Sequence, residues 1–380
     1  MNTRLVGSEM CIRDRLHLYR DKRLHRSTQI HLEPRCVHEL APPYCVLMEP
    51  HLCALRRSDY SWNVLACYMA GDYLVDKSIS TLMGGFGMLL LFFAWKFRSS
   101  KIESLAPIGW VFTGFYFFND ITFYIEHEDP ILIAMSALAL PGAIGVAIWE
   151  RRVTEDVYAT ALKWFRGTVA VAGLPYLMIA HVPILNVLAI WFVAWQSAAL
   201  LSFAGGAKVT LGETYARPAN SEPINWNDWD GNKWFLTDEM SEFSFHTELL
   251  VNGEPIYINF VLACTAIQSM IIFVGAISVL EVDWRRRIRA LFIALSLIHI
   301  LNLFRNAGLI WLQMGYPGWK WLGLSIFDFG HAYASRFVSL GAMFVLALVL
   351  FEMLPQMHRH VLHLLKPLGL APGSKKNAQS

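Results

Sequence analysis

From about residue 80 onward the chain alternates between long apolar runs and short polar links. Apolar runs occupy residues 81–97, 105–125, 131–149, 167–203, 256–280, 288–312 and 325–353. Most approach or exceed the ~20 apolar residues needed to cross bilayer hydrocarbon. A segment in hydrocarbon must satisfy its own backbone polar groups, so each run is expected to be a helix. The pattern therefore predicts an all-α polytopic membrane protein. The run 167–203 is too long for one span, and His181-Val182-Pro183 breaks it. The polar stretch 205–255 reads as an external loop. Composition agrees: 55% of the 380 residues are hydrophobic and 16% are charged, against about 25% charged in soluble domains. A net charge of +2 makes no case for a nucleic-acid partner.

The placement of charge orients the runs. Basic residues gather at 96–101, 151–166, 285–289 and in the tail from 358, and an acidic turn occupies 126–129. Basic loops stay in the cytoplasm. The run 256–280 then passes from outside to inside, and 205–255 lies outside. An odd number of crossings must fall between 166 and 205. Residues 167–181 supply one, and 183–203 rests on the outer surface. The expected architecture is about seven transmembrane helices, one interfacial helix and an external loop, multi-pass in the plasma membrane. The membrane-embedded domain covers 80–360, and 361–380 forms a basic cytoplasmic tail.

Residues 1–60 differ from the rest. They are rich in Arg, His and Cys and show no helical or alternating period. No apolar core follows the early basic residues, so they do not read as a signal peptide. The stretch 5–15 resembles read-through of non-native DNA. This arm is expected to be disordered or spurious. With Cys67 just beyond it, it holds five of the six cysteines (Cys11, Cys36, Cys45, Cys53, Cys67), which are not read as a disulfide framework. No Cys/His spacing suits zinc, and neither a metal nor a cofactor is expected.

The sixth cysteine, Cys264, falls inside an apolar run, and Gln268 follows one helical turn later, on the same face if the run is helical. Later runs contain Arg305, His331 and Arg336. Counted from the outer limits of their runs, Cys264, Arg305 and Arg336 lie at roughly 11, 12 and 16 Å depth, and His331 at roughly 9 Å. A thiolate is a strong nucleophile. A guanidinium can hold it ionised or stabilise an oxyanion, and His331 can move a proton. Each residue also has a plainer reading. A lone buried Cys packs as a small hydrophobe, an arginine near a helix end snorkels, and His299 and Asn302 suit interhelical hydrogen bonds. His358, His360 and His363 suit an amphipathic tail against anionic lipid. Residues 225–232 match a calcium loop weakly, and their tryptophans suit a membrane surface.

Ala-Cys-Thr-Ala-Ile-Gln-Ser (263–269), His-Ile-Leu-Asn-Leu-Phe-Arg-Asn (299–306) and Gly-His-Ala-Tyr-Ala-Ser-Arg (330–336) together resemble the exosortase/archaeosortase family, and most the archaeal form. The resemblance covers roughly residues 80–360. It implies a membrane cysteine transpeptidase with Cys264 as nucleophile, Arg305 as an essential arginine, and His331 or Arg336 in the third role. Asn306 completes the Arg-Asn motif, and Gln268 is expected to orient a substrate amide. Implied partners are secreted or surface proteins with a C-terminal Pro-Gly-Phe-type sorting signal and a membrane lipid acceptor. The site would face outward. A transporter or channel for an anionic solute, using the buried arginines, is the alternative.

Overall fold

The computed structural model describes residues 74–368, except 98, 127–129, 206, 220, 317 and 322–323. The N-terminal arm and the last twelve residues of the tail lie outside the described residues, as does most of the acidic turn. The described part is mostly helical. Its helices are α1 (Lys77–Lys96), α2 (Ala106–Phe118), α3 (Ile121–Glu126), α4 (Pro130–Arg152), α5 (Asp156–His181) and α6 (Pro183–Gly205). After a sheet come α7 (Ile267–Ser278), α8 (Trp284–Gly315), α9 (Ile326–Phe329), α10 (Ser335–Met353) and α11 (Pro355–Leu365). Five of these, α1, α4, α6, α8 and α10, are long and apolar enough to cross a membrane. The chain is thus a helical membrane protein by the length and composition of its helices.

Polar cross-links pin the helix ends and reveal alternating directions. At one end, the Asn119 side chain is bonded in both directions to the Val75 backbone (2.8 and 2.9 Å). Thr81 meets His181 at 3.3 Å, and Gln268 donates to the Tyr176 hydroxyl at 2.5 Å. At the other end, Trp110 and Arg166 both donate to Glu150 (2.8 and 2.6 Å), and Trp164 donates to the Ala276 carbonyl at 2.9 Å. So α1, α2, α4, α5 and α7 run up and down in turn. Glycines let α1 and α2 touch: a Cβ on Gly87 would sit 2.8 Å from the Gly109 carbonyl, and one on Gly109 2.9 Å from the Gly87 carbonyl. Small residues at such crossings replace the hydrophobic drive that lipid cannot supply.

The expected external loop is a sheet. β1 (Val209–Pro218), β2 (Ile224–Asn225), β3 (Met240–Val251) and β4 (Glu254–Phe260) form an antiparallel sheet in the order β2-β1-β3-β4. The reason is visible afterwards in the sequence: 209–218 and 240–251 carry alternating and β-branched residues that the polar composition obscured. β1 returns along α6. Ser202 bonds the Val209 backbone, and Trp191 donates to Thr214 at 2.6 Å. Eleven helical residues and five strand residues both span about 16 Å, so the two elements lie side by side. Val187, Ile190, Ala194, Ala198 and Leu201 face the sheet, while Phe192, Trp195 and Phe203 face away. Trp226 and Trp229 do not sit on an outer surface. They stack on each other and pack edge-on against Phe245 in this module's core.

The run 256–280 is likewise not one helix. Its first five residues belong to β4, a 3-10 turn spans Leu262–Thr265, and helix begins only at Ile267. The β-branched Ile256 and Ile258 alternate on the sheet and so escape helical pairing. Because α5 ends, and α7 begins, at the same end of the bundle, residues 182–266 leave and return on one side.

Arg166, 5% exposed, depends on Glu150 for its charge partner. Glu150→Ala is expected to lower stability by about 3 kcal/mol, because the guanidinium stays buried alone. Thermal unfolding in detergent checks this. The double change Glu150→Leu with Arg166→Met should recover most of the loss, and no recovery would contradict the account.

Candidate active site

Cys264 sits in a turn built from three local features. The chain leaves β4 extended at Val261, tightens through Leu262–Thr265, and turns at Ala266, whose φ of 57° is left-handed. The Thr265 hydroxyl donates to the Leu262 carbonyl at 2.6 Å and accepts from the Ile267 N–H at 3.3 Å. An alanine in this region costs roughly 1–2 kcal/mol. Such strain persists where surrounding contacts over-determine it, and functional turns are where it collects.

Those contacts come from α8. Asn302 and Asn306, four residues apart and therefore on one face, both donate to the Cys264 carbonyl, at 2.8 and 3.0 Å. Both lone pairs of that oxygen are engaged, and the turn is held on α8. Cys264 itself is 2% exposed and is disulfide-bonded.

The residue next to Asn306 is Arg305. Its Nη1 lies 3.5 Å from the Asn306 side-chain oxygen and its Nη2 lies 3.5 Å from the His331 Nδ1. For Nδ1 to accept, the imidazole must carry its hydrogen on Nε2. His331 occupies a π-helical turn, Gly330–Ala334, between α9 and α10. The extra residue in such a turn re-aims side chains, and these turns are frequent at functional sites. Its ring stacks on Phe327 (5.8 Å, 9°), and its carbonyl accepts from Ser335 at 2.6 Å. Arg336, half-buried on the next turn, acts electrostatically on both Arg305 and His331. No carboxylate among the described residues pairs with Arg305. Two guanidiniums and an imidazole thus gather where α8 meets the 326–353 segment. That arrangement suits a carboxylate, a phosphate or a developing oxyanion.

Of the residues singled out in the sequence, Arg305, His331 and Arg336 come together, and Asn306 ties them to the Cys264 turn. Gln268 does not join them. Ala266 interrupts the helix between Cys264 and Gln268, so the two do not share a face, and Gln268 reaches Tyr176 on α5 instead. Asn306 spends its amide on protein partners rather than presenting it to a substrate. Asn302 makes the hydrogen bond across elements that its position suggested. Ala266 carried no sequence signal, since its role is purely conformational. No group of metal ligands occurs among the described residues. Comparison with protein-family models, curated proteins and solved structures finds no match.

Two stability outcomes follow. Asn302→Ala or Asn306→Ala alone should cost about 1 kcal/mol, because the other amide still serves the carbonyl. The double variant should lose more than the sum, and additivity in a thermal-unfolding cycle would count against a shared role. Ala266→Gly should raise stability by up to ~1 kcal/mol; a loss would mean the left-handed turn is not strained.

Proposed function

We propose that the chain is a membrane cysteine transpeptidase of the exosortase/archaeosortase kind. The observation that carries this reading is the double hydrogen bond from Asn302 and Asn306 to the Cys264 carbonyl. It joins the only cysteine of the membrane domain to the helix turn that bears Arg305, against His331 and Arg336. The motifs 263–269, 299–306 and 330–336 fall on these same three elements.

The topology proposed for this activity has seven crossings: α1, α2 with α3, α4, α5, the 262–283 segment that contains the short α7, α8 and the 326–353 segment. α6 then lies with its sheet on the outer surface. Two arguments support it. The α6-sheet module begins and ends on one side of the bundle. An open sheet edge has no partners in hydrocarbon, so a helix with a sheet along its length does not cross. The basic links then all face the cytoplasm, and the Cys264 turn faces outward.

Chemistry starts from the thiolate. The disulfide at Cys264 must first be reduced by a dithiol, which becomes the new disulfide. The thiolate then attacks the carbonyl carbon of the scissile bond. Arg305, with His331 or Arg336, stabilises the oxyanion. The C–N bond breaks, and the departing amine takes the proton that His331 accepted from the Cys264 thiol when the thiolate formed. A thioester remains on the secreted protein's new C-terminus. The amine of a membrane lipid attacks it and gives its proton to His331, forming an amide and releasing Cys264 as thiolate. Scarce water near the membrane favours the amine over hydrolysis. Substrates in this scheme are secreted or surface proteins with a C-terminal sorting signal that includes a membrane segment.

Cys264→Ala should leave the substrate's C-terminal helix attached, as read by the substrate's mass in membranes. Arg305→Lys should slow cleavage by roughly 100-fold or more, since an ammonium cannot reproduce the planar fork. Anion transport is the reading that the cationic cluster favours if Cys264 is only packed and bridged. In that case Cys264→Ala keeps full activity while Arg305→Gln abolishes anion uptake into vesicles.

A further inference from the structure

A cavity of about 380 Å³ opens at the opposite end of the bundle, between α11, the first turns of α5 and the chain just after α7. It borders every basic link: Trp95 precedes Lys96, Lys163 follows Arg151-Arg152, and Glu281 precedes Arg285. Along α8 it lies far from Arg305, since Arg289 alone is about 24 Å from that residue. Its lining combines apolar Trp95, Trp164 and Leu280 with Lys163, Arg359, His360 and His363, and Glu281 is the single carboxylate.

The cationic lining residues are under-used. Neither Lys163 nor Arg359 has a hydrogen-bond or ion-pair partner among the described residues. His360 stacks on Trp164 (5.4 Å, 19°), and Trp164 is itself held by its bond to the Ala276 carbonyl. This fixes the imidazole, yet its Nδ1 is buried with no partner. Burial, then His363 and Arg359, hold the His360 pKa below the ordinary imidazole range, with Glu281 opposing. A buried polar atom without a hydrogen-bond partner beside two cations suits an anion.

We infer that this cavity binds the phosphate of an anionic phospholipid, with Lys163, Arg359 and His360 on the phosphate and the apolar Trp95 and Leu280 against the start of the acyl chains. The volume suits a headgroup, and basic pockets between helices on the cytoplasmic face recognise such headgroups. A bound lipid would brace α11 against α5. The inference does not depend on the transpeptidase reading.

The test is thermal unfolding of the purified full chain in detergent with added lipid. Phosphatidylglycerol should raise the midpoint, and phosphatidylcholine should not. Lys163→Gln and Arg359→Gln should each weaken the phosphatidylglycerol effect by roughly tenfold, the size of one charge-assisted hydrogen bond. Native mass spectrometry of the unaltered chain gives a variant-free reading, namely one retained anionic lipid. Inorganic phosphate or glycerol 3-phosphate reproducing the rise would support the phosphate site and assign it to a soluble ligand. An equal rise with phosphatidylcholine, or a rise that survives both substitutions, would overturn it.

Discussion

One carbonyl oxygen organises one end of this molecule. The Cys264 carbonyl accepts from both Asn302 and Asn306, and through those bonds a strained turn is seated on a long helix. Without them the turn would hold a left-handed alanine and an unsatisfied buried carbonyl at once. Each costs of order 1–3 kcal/mol. With them, the turn has one position relative to Arg305, and Arg305 in turn meets His331. The chemistry assigned to the site rests on this chain of contacts.

The same end of the bundle carries the α6-sheet module, and the two are physically linked. β4 runs directly into the Cys264 turn, and Cys264 packs in one core with α6, the sheet and α8. The module therefore walls the turn rather than hanging from it as a loop. At the opposite end, buried charge is handled differently. Arg166 has Glu150 as its buried partner, while Lys163 and the exposed Arg359 line the α11 cavity. The first is a structural pair, and the second has the character of a binding site.

The membrane class and the nearness of Arg305 and His331 were legible in the sequence, whereas the helix starts were not: α5 begins at Asp156 and α8 at Trp284, so basic residues read as links lie inside helices. Apolar length and charge placement act locally and leave a direct trace. The sheet was not legible, because a polar-rich segment of modest β-propensity gains its strands from packing against α6. The helix assumed through Cys264 failed for a related reason. Apolar composition cannot distinguish a short buried strand plus turn from a helix. Gln268 leaves the Cys264 face because Ala266, a residue with no side-chain signature of a break, interrupts the helix between them.

The central claim is that Cys264 forms an acyl bond with a substrate. Intact-protein mass spectrometry tests it most directly. The reduced full chain is incubated in bilayers with a secreted protein bearing a C-terminal sorting signal and no amine acceptor. The account predicts an adduct on Cys264 equal in mass to the processed substrate, released by hydroxylamine as a thioester is. Complete absence of that adduct, with the thiol shown to be free and the substrate bound, would contradict it.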